Sequence, residues 1–212
     1  MKLLVFLCLC SLSYSFIFNT VIVSSSRLLG MSKLMSETLW SSVDKISQMN
    51  EKAALSEFRV ISDIQLRREV TYHVYQAKMR EYKENSAFHS TLATTLVNQF
   101  HASYRTLFSE VLLKSSPGSV DVGLFDKANT ELHIHHEYED STWFPKLKEL
   151  HPDIVAELEQ MEEDHRYIVS LEPAIRAGNY EALVDFVESL NDHLNREELL
   201  IVPYLMEGTG GL

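Results

Sequence analysis

Residues 135–147 read HHEYEDSTWFPKL. His135 and Glu139 stand four apart, so on a helix their side chains lie one above the other on a single face. Working outward, the same spacing recurs as His193 and Glu197 in HLNREELLIVPYL, residues 193–205. Both faces are apolar. Ala128 and Leu132 precede His135 at helical spacing, and Leu183, Phe186 and Leu190 precede His193. A carboxylate on a core-facing stripe is costly unless it is paired or bound to a metal. A lone core histidine usually hydrogen-bonds to a neighbour, and a lone histidine–glutamate pair is usually surface chemistry. Two such pairs on two apolar stripes call for a shared cause.

Two further stripes carry a histidine each. The first runs from about Asn85 to about Lys114 through Val97, His101, Tyr104, Phe108 and Val111, and is ended by SSPG at 115–118. The 135–147 motif sits on a second helix, from about Val122 into FPKLKEL, with Pro145 bending its last turns. A third begins after His151 and Pro152, carries Ile154, Leu158, Met161, His165, Ile168 and Leu171, and stops near Ala177 and Gly178. The fourth holds His193 and ends at Pro203, followed by a frayed tail, EGTGGL. Short connections join the four, which predicts an all-α, up-down-up-down antiparallel four-helix bundle. Before it, residues 61–85 read as a leading helical extension with Leu66, Val70 and Val74 on one face, while 31–60 show no clean period.

Depth along the bundle brings the histidines together. His101 lies 13 residues before Lys114 and His135 lies 13 after Val122, so both sit ~20 Å from their shared connection at ~1.5 Å per residue. His165 lies 12 before Ala177 and His193 lies 13 after Tyr180. The candidate set is therefore His101, His135, His165 and His193 with Glu139 and Glu197. His89, 25 residues before Lys114, is the rival to His101 and falls too deep. His136 could supply a fifth nitrogen, but it points ~100° from His135 around the helix and is left outside the set. Asp140 and Glu198 read as facing water or, alternatively, as orienting the ligands, Trp143 and Phe144 as core packing that can also exclude solvent from the centre, and His73, His89, His133 and His151 as surface, packing or loop residues.

The donors are nitrogen and oxygen, since the two cysteines, Cys8 and Cys10, both lie in the first apolar segment. Such a set suits iron, manganese or zinc, and carboxylates from two helices can bridge two ions. A net charge of -11 without a long basic patch argues against nucleic acid as a partner. No glycine-rich phosphate loop or cofactor motif is present. The length of 212 residues fits one domain with extensions, or at most two small domains.

The opening MKLLVFLCLCSLSYS, residues 1–15, has the lysine, apolar run and small-residue Ser13-x-Ser15 of a cleaved signal peptide, with cleavage before Phe16. Residues 16–60 follow as a transit-like or linker segment. Secretory entry is the first expectation. A two-part organelle signal, with Arg27 and no acid until Glu37, and an N-terminal membrane anchor are the alternatives.

Residues 135–147 resemble the His-His-x-x-Glu-(Glu/Asp)-x-x-apolar-Phe-Pro segment of the hemerythrin-like family, the HHE cation-binding domain. Residues 193–205 resemble its closing His-x-x-x-Glu helix, and DHRYI at 164–168 holds the intermediate position. The resemblance spans about residues 86–205, within a bundle domain read as 86–206. It implies a di-iron centre of two Fe ions, with His135 and His193 as ligands, Glu139 and Glu197 as bridging carboxylates, and His101 and His165 as the remaining imidazoles. Oxygen-carrying members place two histidines four apart on the third helix. Here Met161 and Val169 flank His165 at that spacing, which leaves four histidines in the expected set. The resemblance implies binding of dioxygen or another small diatomic ligand, with oxygen or iron sensing or iron handling as the use. A di-iron oxidase or peroxide-reactive enzyme is the alternative, and a metal-free helical interaction module is another.

Overall fold

The computed structural model describes residues 33–211; the readings made of residues 1–32, signal peptide included, lie outside them. The chain divides into two units, Met1–Ser41 and Ser42–Leu212, and the bundle belongs to the second. The described residues form helices joined by short turns, with no strand among them beyond an isolated bridge between Ser116 and Ser119. No described helix is long and apolar enough to cross a membrane.

Among the described residues, four helices precede the bundle: α1 (Lys33–Ser47), α2 (Glu51–Val60), α3 (Ile64–Glu84) and α4 (Ser86–Ser90). The first rod of the bundle then runs as α5 (Leu92–Thr95), a π-helical turn (Leu96–His101) and α6 (Ala102–Lys114). It begins later than the expected Asn85, and the caps explain why. The Asn85 side chain accepts from Ala87 N and starts only the short α4, while Thr91 is extended (φ -121°, ψ 177°) and caps a new helix at Ala93 N.

The second rod is α7 (Val122–Tyr138), a second π turn (Glu139–Trp143) and α8 (Phe144–Leu150). Asp121 caps its start by accepting from Leu124 N at 3.0 Å. The third is a 3-10 turn (Pro152–Ile154) leading into α9 (Val155–Arg176). Gly178, at φ +87°, supplies the left-handed residue that ends it. The fourth, α10 (Tyr180–Met206), is capped by Asn179 and runs past Pro203, three residues beyond the expected end. A proline this near a C-terminus removes only one hydrogen bond of the last turns.

Two apolar layers enclose the middle of the bundle. At one end Phe108, Phe125 and Phe186 pack with ring centroids 5.0 to 6.1 Å apart, beside Ile175, Leu183 and Leu190. At the other, Phe144, Leu147, Leu158, Met161 and Leu200 are buried. Each such side chain contributes about 1.5–3 kcal/mol relative to exposure.

The leading helix α3 lies against α10. Val70, Val74 and Met79 are buried, and the Arg68 guanidinium donates to Asp185 and Glu188 at 2.8 Å each and to Ser189 at 2.7 Å. The C-terminal tail, expected to fray, is pinned: Trp143 Nε1 donates to Gly210 O at 2.8 Å, and His151 Nε2 meets Thr209 O at 2.8 Å. A side chain at position 210 would collide with Leu205, which accounts for the glycine there.

Candidate metal centre

Between the apolar layers lies a polar layer whose direction is set by the two π turns. The first ends on His101, and the second begins on Glu139. In the second, Phe144 N–H reaches back five residues to Glu139 O, so the turn holds one extra residue just before Pro145, which has no N–H to offer. Widened turns of this kind rotate the side chains at their ends away from the plain α-helical register.

Two groups of potential ligands result. His101, His135, Glu139 and Glu197 offer atoms within 4.8 Å of one another, and so do His136, Glu139, His165 and His193. Glu139 belongs to both. Its Oε1 lies 3.0 Å from His135 Nε2, and its Oε2 lies 3.5 Å from His165 Nε2. Glu197 Oε2 lies 3.4 Å from His101 Nε2 and 3.6 Å from His193 Nε2, so this carboxylate also reaches both groups. The structure thus brings together all six residues selected from the sequence. His89 lies elsewhere, on α4, with its Nε2 2.8 Å from the Lys83 carbonyl oxygen.

The placement of His136 corrects its exclusion. Its ring stacks on His165 with centroids 3.8 Å apart, and it is buried. The ~100° between consecutive residues directs His135 toward the first rod and His136 toward the third and fourth. A layer with two centres needs both directions. The His-His doublet was the signal for this. Together the described residues supply five imidazoles to the layer, not four.

The residues fit a bound cation. His101 Nε2, His136 Nε2 and all four oxygens of Glu139 and Glu197 are buried without a hydrogen-bond partner. His135 Nε2 touches Glu139 but without hydrogen-bond alignment. His165 Nε2 and His193 Nε2 converge to 3.1 Å. Native interiors rarely leave polar atoms unpaired, and so many in one layer require a common partner. Nitrogen and carboxylate donors without sulfur make that partner a metal ion.

Charge leads to the same conclusion. Burial pushes His135 down to about 2, with help from His101 and His165. Burial also holds His136 and His193 well below the ordinary histidine range, with His165 adding to both. Neutral imidazole is the form that ligates a metal. Burial raises Glu139 well above the usual carboxylate range, reinforced by Glu197, and burial raises Glu197 too. Two buried carboxylates this close resist both being ionised unless a cation compensates them.

A second ring of carboxylates orients the imidazoles. His101 Nδ1 donates to Glu198 Oε1 at 2.9 Å and His165 Nδ1 donates to Asp140 Oδ1 at 2.8 Å, which turns each Nε2 lone pair inward. His193 Nδ1 faces Asp164 Oδ2 at 3.5 Å, and Arg196 holds that same oxygen at 2.8 Å. Glu198 is fully buried and Asp140 is bonded to a candidate ligand, so of the two readings the orienting one holds and the water-facing one does not. Phe144 packs on the His165 ring at 5.8 Å, and so lines the centre as well as the core. Sequence spacing missed Asp164 and also Arg105, which donates to Glu198 Oε1 at 2.6 Å, because both act on partners from other helices.

A family profile, Hemerythrin HHE cation binding domain, matches residues 92–205. No curated protein and no solved structure matches the chain. The matched segment is the four-rod bundle with its polar layer and covers more than half of the chain, which belongs to the hemerythrin HHE cation-binding domain family and carries a metal-binding site.

Proposed function

We propose that this site holds two iron ions and binds dioxygen or another small diatomic ligand. The observation that carries the reading is the unequal division of donors around shared carboxylates. His101 and His135 face one side of Glu139, and His136, His165 and His193 face the other. Glu139 and Glu197 each approach both sides. A centre with two imidazoles has more room for an outside ligand than one with three, since iron takes up to six donors. Iron bound there supplies the electrons and the open coordination position that a diatomic ligand needs.

The protein's own residues support the same assignment. His135, on the two-imidazole side, keeps 11% of its side chain exposed, whereas His101 and His193 are fully buried. Phe100 and Tyr104 pack beside the His135 ring, with centroids at 6.4 and 5.0 Å. The one partly exposed imidazole on the side with fewer nitrogens is therefore flanked by two aromatic rings. That suits a two-atom ligand better than a bulky substrate.

Rapid mixing of the anaerobic ferrous protein with dioxygen, and separately with nitric oxide, tests the proposal. A new visible band that reverses when the gas is removed is expected. Continuous oxygen consumption with an added reductant would instead mark an oxidase. No spectral response to either gas would contradict the reading.

A further inference from the structure

Glu198 is fully buried, and both of its oxygens are engaged. Oε1 accepts from His101 Nδ1 at 2.9 Å and from Arg105 Nη1 at 2.6 Å. Oε2 accepts from the Tyr75 hydroxyl at 2.6 Å. Arg105 continues to Asn195 Oδ1 at 3.0 Å, and its guanidinium lies 5.5 Å from the centre of the Tyr75 ring. Tyr75 is buried on α3, which precedes the family-matched segment 92–205 and is clamped to α10 by Arg68. A helix outside the matched domain thus reaches within two hydrogen bonds of a candidate metal ligand.

We propose that Tyr75 is a positioning residue for His101, acting through Glu198. This rests on the reading of His101 as a metal ligand. The terminal torsion of a glutamate is broad and nearly two-fold, so one anchored oxygen does not fix the carboxylate plane. His101 and Arg105 share Oε1, and the Tyr75 hydroxyl is the partner that holds Oε2. Fixing both oxygens fixes the direction in which Oε1 receives the Nδ1 proton, and hence the orientation and tautomer of the His101 ring. Without the hydroxyl, a buried charged oxygen loses its partner, and Glu198 gains by rotating to recover one.

The test is Tyr75→Phe in the full chain, beside Tyr82→Phe on the same helix. The Tyr82 hydroxyl bonds Glu51, away from the polar layer. In metal-free protein labelled with ¹⁵N-histidine, His101 is expected to show one Nδ1-protonated tautomer. Tyr75→Phe should shift or mix that tautomer, and Tyr82→Phe should not. In iron-loaded protein, a chelator should remove one iron about tenfold faster from Tyr75→Phe, at the low end of the effect of outer partners of metal ligands. His101 resonances unchanged by Tyr75→Phe, or moved equally by Tyr82→Phe, overturn the inference, as does release of both irons at the wild-type rate. A wild-type chain that fails to bind two irons contradicts the proposed function instead, and the metal-free comparison still decides the role of Tyr75.

Discussion

Glu139 Oε1 lies 3.0 Å from the Nε2 of His135, one turn earlier on the same rod, while its other oxygen faces His165 on a different rod. One carboxylate thereby spans both halves of the polar layer. Glu139→Gln separates its two effects. Metal-free Glu139→Gln should be about 1–3 kcal/mol more stable than metal-free wild type, because a buried unpaired carboxylate is removed. It should also bind less than about one iron per chain, since each half loses one of the two carboxylates that reach it. Chemical unfolding of the metal-free pair and metal analysis of the loaded pair check both halves. A variant less stable in both states would mean that Glu139 is satisfied without metal.

The second group of donors makes its own prediction. His136→Ala and His101→Ala each remove one imidazole from a different side, and each should lower bound iron from about two toward about one per chain. His89→Ala should leave the content unchanged, because His89 lies on α4 against a backbone carbonyl. Metal analysis of the three variants after identical loading decides the matter. Iron lost in His89→Ala and kept in His101→Ala would reverse the assignment.

The four rods, their order and the common level of His101, His135, His165 and His193 were legible because apolar periodicity and turn residues mark helices directly. Uniform counting at 100° per residue could not reveal the π turns at Leu96–His101 and Glu139–Trp143, which depend on tertiary packing. The same counting turns His136 ~100° away from His135, and only the packing of the third and fourth rods shows that this direction also leads to donors. Glu198 and Asp140 looked solvent-facing for a related reason. Their partners, Arg105, Tyr75 and His165, come from other helices, and a linear sequence does not display such pairings.

Stability against pH follows from shifts of opposite sign. Burial holds His135, His136 and His193 below the ordinary 6.5, so below that pH the unfolded chain takes up protons first and stability falls on acidification. Glu198 adds to this acid limb, because Arg105 and His101 outweigh burial and lower it to about 2. Burial raises Glu139 and Glu197 above the ordinary 4.5, so the folded state holds extra protons and stability falls as pH rises above 4.5. Among these groups, only the two glutamates act above 6.5. Metal-free protein should therefore be most stable between about pH 4.5 and 6.5, and metal loading should abolish the alkaline decline by compensating the carboxylates. Unfolding from about pH 4 to 9, with and without metal, measures this. Metal-free stability that climbs steadily above pH 6.5 would contradict it.

We further propose that residues 1–15 are removed as a secretory signal peptide, on the ground of the Lys2 start, the apolar run and Ser13-x-Ser15. N-terminal sequencing of native protein should begin at Phe16 or later. An intact Met1 would refute this.

Metal content of the full chain tests the central claim most directly. Protein expressed with added iron and purified without chelator should carry about two irons per chain, and a ⁵⁷Fe Mössbauer spectrum should show them as a magnetically coupled pair. One zinc per chain, a single isolated iron, or no stoichiometric metal would contradict a shared-carboxylate di-iron centre.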